Sequence, residues 1–83
     1  MSDQTKDPGS EVVVDARGLL CPVPIIRLSK AIKGVPVGTT VRLLATDPGS
    51  DPDVRAWEKQ TGNELVSADH QGKEFNFLLR RRK

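Results

Sequence analysis

Two prolines separated by a single residue, Pro22 and Pro24, decide where the first helix of this chain can start. Proline has no N–H for the helical ladder and its φ is fixed, so a pair this close fits only the first turn of a helix. From Cys21 onward, Cys21, Ile25, Leu28 and Ile32 recur at the spacing of one apolar helix stripe, with Arg27, Lys30 and Lys33 on the outer side and Gly34 as a stop. With Cys21 as N-cap, Pro22, Val23 and Pro24 take the next three positions, and the two prolines forfeit no ladder bond.

Other elements follow from pattern. Residues 11–15, with Val12-Val13-Val14, read as a short buried strand before the Ala16-Arg17-Gly18 loop. In residues 40–45, Val41, Leu43 and Ala45 alternate with Arg42 and Leu44, as in a half-buried strand. Asp51 before Pro52 suits an N-cap and first helical position, and Val54 and Trp57 lie one turn apart on a short helix closed by Gly62. Residues 64–69 and 73–80 flank His70-Gln71-Gly72 and predict a hairpin, with Phe75, Phe77 and Leu79 on one face. The order βαβαββ, with two helices that each need a surface to cover, predicts a two-layer α/β sandwich: a mixed four-stranded sheet with both helices on one face.

At 83 residues the chain holds one small domain, expected over residues 11–80, after a disordered lead-in at 1–10 and before a basic tail at 81–83. A deep enclosed active site does not fit that size. No apolar run approaches the ~20 residues that span a bilayer, and the first ten residues lack the apolar stretch of a secretory signal, so a cytoplasmic location is expected. Net charge is only +2, and Arg80-Arg81-Arg82-Lys83 concentrates positive charge at one end, leaving the rest slightly acidic.

A single cysteine can form no internal disulfide, and with His70 as the one histidine it makes a poor thiolate metal site. Cys21 is therefore either a small buried hydrophobe or a reactive thiol. For the reactive reading, the helix N-terminus favours an anion, with Val23 N–H as the expected partner of the sulfur. Lowering a thiol pKa from about 8.5 to about 7.5 raises the thiolate fraction at pH 7 from roughly 3% to roughly 24%. Arg17, four residues upstream, adds a candidate positive charge, and Gly18 lets the loop turn. Arg27 and Lys30 make a basic face for partner docking, and Asp47 reads as a docking residue or a simple turn-former.

Asp15, Gly18-Leu19 and Cys21-Pro22-Val23-Pro24 resemble the TusA family of sulfur carriers, also called SirA-like, over about residues 11–80. Thr46-Asp47-Pro48 and Asn63-Glu64-Leu65-Val66 extend the resemblance. It implies a βαβαββ sandwich in which Cys21 carries a covalent persulfide and no separate cofactor. Arg17, Gly18, Pro22, Val23 and Pro24 would stabilise that persulfide. Donors of the cysteine desulfurase or rhodanese type and DsrE-like acceptors are the implied partners, which makes the protein more a covalent carrier than an autonomous enzyme. Some members carry a second cysteine near the region matching Ala56-Trp57. This sequence has none, so Cys21 would have to discharge to another protein. The competing reading is a nucleic-acid- or protein-binding module using Arg27, Lys30, Lys33 and residues 80–83, with a structural cysteine. It is the poorer fit, because Phe75 and Phe77 are needed in the core.

Overall fold

A computed structural model describes residues 12–83. The expected disordered lead-in over residues 1–10 lies outside the described residues. The elements run β1 (Val12–Ala16), α1 (Val23–Lys33), β2 (Thr40–Ala45), α2 (Ser50–Thr61), β3 (Glu64–Gln71) and β4 (Glu74–Arg80). They form one four-stranded sheet in the order β1-β2-β4-β3. β1 and β2 are parallel, while β4 runs antiparallel to both of its neighbours. The last strand thus fills the slot that α2 leaves open when it carries the chain from β2 to β3.

Both crossovers, β1-α1-β2 and β2-α2-β3, travel in the same direction across the sheet. Their common right-handedness puts both helices on one face and both helix starts at the end of the sheet where β1 and β2 finish. The expected two-layer sandwich is what forms.

Alternation along β1, β2 and β4 sends one side of each into the core. Val41, Leu43 and Ala45 of β2 and Phe75, Phe77 and Leu79 of β4 are buried, joined by Ala16 from β1. From the helices come Leu28, Ile32, Val54 and Trp57. Trp57 is 5% exposed, and its Nε1 donates to Ser29 Oγ at 2.9 Å, so the indole ties α2 to α1 as well as filling space. On the open face Arg42 and Asn76 hydrogen-bond across β2 and β4.

Several boundaries differ from the sequence expectation. α1 begins at Val23 with Pro22 at its N-cap, so Cys21 sits one residue before the cap. The buried stripe of α1 is Pro24, Leu28 and Ile32, with Ile25 only half-buried. Pro24 is thus a core residue. α2 starts at Ser50, earlier than the Asp51-Pro52 signal implied. Ser50 is fully buried, and its hydroxyl donates to the Asp47 carbonyl at 2.7 Å. Gly62 ends α2 in the left-handed conformation at φ 79°, as a C-terminal glycine does.

His70 belongs to β3 instead of the turn and stacks on Phe75, with ring centroids 4.1 Å apart. The strands then turn at Gly72-Lys73, where Gly72 takes φ 59°. The basic end does not trail away from the fold. Arg81 exchanges backbone hydrogen bonds with the 38–39 loop, and its Nη1 donates to the Val35 carbonyl at 2.6 Å. Buried Asn63 receives the N–H groups of Arg82 and Lys83 on its Oδ1.

Candidate functional site

The β1–α1 loop and the β2–α2 loop lie side by side at the helix-start end of the sheet, because their parent strands are parallel neighbours. Gly18, at φ 81°, turns the first loop, and its N–H donates to Thr46 Oγ1 in the second at 2.9 Å. Cys21 follows, partly exposed, joined to Pro22 by a cis peptide bond.

Both hydrogen-bond donors of Cys21 go to acids. Its N–H donates to Asp47 Oδ2 at 2.8 Å, and its Sγ–H donates to Asp53 Oδ2 at 2.8 Å. Asp47 comes from the β2–α2 loop and Asp53 from the first turn of α2. Gly49 sits against them: a Cβ there would lie 3.4 Å from the sulfur and 3.4 Å from Asp47 Oδ2. Those are ordinary contact distances, so the second loop packs directly against the thiol without needing a glycine there.

The electrostatics run against the sequence expectation. Burial, then the hydrogen bond to Asp53, then the charges of Asp53 and Asp47 push the Cys21 thiol up to about 12. Asp47 moves the other way: the Cys21 N–H and then the Gly49 N–H hold its carboxyl below the usual value, against some desolvation. Thus Cys21 is held as a thiol in the free protein, not as the helix-supported thiolate that the proline-marked start implied.

Each expected stabiliser of a sulfur anion is engaged elsewhere. Val23 N–H donates to the Leu20 carbonyl at 3.0 Å, not to the sulfur. Ile25 and Ile26 N–H both go to the Pro22 carbonyl, and Pro22 and Pro24 have no N–H to give. Arg17 is clamped on Asp15, through Nε to Oδ1 at 2.9 Å and Nη2 to Oδ2 at 2.8 Å, and reaches Glu74 at 3.6 Å. That clamp holds the Asp15 carboxyl down at about 2. Gly18 N–H is committed to Thr46. Asp53, which sequence reasoning missed, accepts from the sulfur at 2.8 Å, and the Asp47 carboxylate also lies close enough to act on the thiol.

Only the short Asp51-Pro52-Asp53 run offered a signal, and it read there as helix capping. Asp47, read as a docking residue or turn-former, proves to brace the Cys21 backbone.

The end of the β1–α1 loop and the outer side of α1 present apolar and basic side chains. Leu20 is 74% exposed, Ile26 49% and Val23 38%. Arg27 and Lys30 are exposed on the same helix. A shallow groove of about 240 Å³ lies on the other side, lined by Pro22, Ile25, Asp53, Ala56, Trp57 and Gln60. Groups of acids, cysteine and histidine able to hold a metal are absent among the described residues. No helix among them is long and apolar enough to cross a membrane.

Residues 12–81 match the family model described as Sulfurtransferase TusA. The chain is 44% identical over 68 residues to the sulfur carrier protein TusA of Allochromatium vinosum, covering 82% of this chain and 90% of that one. It is also 39% identical to the putative sulfur carrier protein YrkF of Bacillus subtilis, where the match covers 84% of this chain and only 38% of the longer relative. The crystal structure of a SirA-like protein from Desulfitobacterium hafniense shares the fold, with a TM-score of 0.75 at 20% identity over 87% of this chain and 99% of that one. With a family match across nearly all the described residues and the Cys-Pro-Val-Pro segment at its helix start, the chain belongs to the TusA family of sulfur carriers.

Proposed function

We propose that Cys21 carries sulfur as a persulfide and relays it from a donor of the cysteine desulfurase or rhodanese type to an acceptor thiol on a DsrE-like or related protein. The observation that carries this reading is the position of the thiol. The one cysteine of the chain stands partly exposed on a rim between two helix starts, where another protein can reach it, and not inside the core.

In loading, Cys21 Sγ attacks the outer sulfur of the donor persulfide. The new S–S bond forms as the donor's S–S bond breaks, and the donor leaves as a thiolate that takes up the proton Sγ has lost. Discharge reverses the roles: an acceptor thiolate attacks the outer sulfur, and Cys21 leaves and is reprotonated. One sulfane sulfur moves in each step with no net oxidation, so no redox cofactor is required. Leu20, Val23 and Ile26, bordered by Arg27 and Lys30, give a partner an apolar centre with a basic edge, the composition of a protein interface. Burial of Phe75, Phe77 and Trp57 removes the aromatic platform that single-stranded nucleic acid would stack on, which weighs against the nucleic-acid reading. A cytoplasmic setting, where thiols stay reduced, belongs to the same proposal.

Incubation with a cysteine desulfurase and cysteine, or with a rhodanese and thiosulfate, should add one sulfur atom to the intact mass. A reductant should remove it, and Cys21→Ser should show none. Failure of every donor class to load the wild-type protein would sink the persulfide reading.

A further inference from the structure

A sulfur that must act as a nucleophile is here placed against a carboxylate. Asp53 Oδ2 accepts from Cys21 Sγ at 2.8 Å, and Asp47 lies against the same residue through its N–H. The charged groups that act on the sulfur from the elements packed around it are these two acids, one from the β2–α2 loop and one from α2. The nearest upstream cation in sequence, Arg17, is bound to Asp15 and Glu74. Asp53 also lines the open groove between the helices together with Pro22, Ile25, Ala56, Trp57 and Gln60, a lining that contains no cation. The acid is therefore accessible from outside while it holds the thiol.

We propose that Asp53 is a restraint on Cys21, released when a loading partner inserts a cationic side chain into the groove between α1 and α2 and pairs with the Asp53 carboxylate. The idea rests on the persulfide reading for its purpose, but its physical content concerns the free thiol alone. With Asp53 unpaired, the Sγ proton is kept and small oxidants and electrophiles meet a thiol. With Asp53 neutralised by an arginine or lysine, the carboxylate no longer disfavours the anion, the Sγ proton passes to water in the open groove, and the sulfur becomes a thiolate at the docked interface. The partner so defined presents its persulfide sulfur beside a basic residue.

The test uses the free protein with no sulfur donor, so its failure is separable from failure of the persulfide reading. Rates of alkylation by neutral iodoacetamide are measured against pH for wild type, Asp53→Asn and Asp51→Asn, with thermal melts to confirm folding. Below its pKa, each unit by which a thiol pKa falls gains about tenfold in thiolate and loses about threefold in intrinsic nucleophilicity. Each unit thus nets about threefold, so Asp53→Asn should react at least about threefold faster near neutral pH, and its rate should level off at a lower pH than that of wild type. Asp51→Asn, in the same helical turn but paired with Arg55, should match wild type. An Asp53→Asn rate equal to or below that of wild type overturns the restraint.

A second arm compares a cationic and an anionic methanethiosulfonate reagent of equal size. Wild type should favour the cationic one by about tenfold, despite the protein's net positive charge, and Asp53→Asn should lose most of that preference. An equal preference in wild type and Asp53→Asn would overturn the cationic-partner half of the proposal.

Discussion

The two helices start at the same end of the sheet and are built in opposite ways. Neither helix has a side-chain capping bond, but α1 opens with Pro22 and has no acid in its first turn. α2 opens with Ser50, carries Asp51 and Asp53 in its first turn, and is preceded by Asp47, whose carbonyl accepts from Ser50. Acids near a helix N-terminus are stabilising, so α2 is electrostatically complete by itself. α1 is not: its flanking residue Cys21 depends on acids lent from the other loop and helix, at Asp47 and Asp53. The electrostatic character of the sulfur is therefore set by α2, although the motif that marks the sulfur belongs to α1.

If that division is right, damage to α1 packing should affect stability first, and damage to the α2 acids should affect the sulfur first. The largest stability effect is expected from Leu28→Ala. Leu28 is fully buried between α1 and the sheet, and truncating it removes contacts and leaves a cavity at a cost of about 2–5 kcal/mol. For a domain this small that lowers the melting temperature by more than about 10 °C in a calorimetric scan. A loss of only a few degrees would mean that α1 is held chiefly through its loop contacts with α2.

The sequence disclosed the fold more fully than the site, for a physical reason. Alternation in β2 and β4 and the stop at Gly62 are local patterns, and Val41, Leu43, Ala45, Val54 and Trp57 are buried as those patterns require. The same local reasoning placed Cys21 at a helix start, one residue from where it stands. The partners of Cys21 are 26 and 32 residues away in sequence, at Asp47 and Asp53, and no periodicity connects them. Arg17, four residues from the sulfur in sequence, is instead spent on Asp15 and Glu74 across the sheet end. His70 was misplaced because its stacking on Phe75 is a cross-strand contact that extends β3 beyond the polar turn signal.

A smaller effect, and one that carries a pH signature, is expected at Asp47. Its carboxyl is held below its ordinary value of 3.8 by the N–H groups of Cys21 and Gly49, so its contribution to stability is fully present above that value. That contribution falls away as pH drops through the lower folded-state value. Asp47→Asn should thus melt a few degrees below wild type at neutral pH, and the gap should close as both are taken to strongly acidic pH. A gap that stays constant down to acid would show that the hydrogen bonds and not the charge carry the contribution. Because Asp47 also adds to the negative field on the sulfur, the same variant should alkylate faster than wild type, by less than Asp53→Asn.

The smallest effect should come from Arg55→Ala, and its smallness is informative. Arg55 Nε meets Asp51 Oδ1 at 2.8 Å, one turn back on the same helix, with more than half of the arginine side chain exposed. Exposed pairs of this spacing contribute little, because water screens them and two long side chains must be ordered to form them. The melting temperature should move by no more than about two degrees. The variant also frees Asp51 two residues from Asp53, adding an unpaired carboxylate to the first turn of α2. Were the sulfur governed by the total charge of that turn, Arg55→Ala would slow alkylation of Cys21 as clearly as Asp53→Asn speeds it. If direct contact with Asp53 governs instead, as the 2.8 Å hydrogen bond argues, the alkylation rate should stay at the wild-type level.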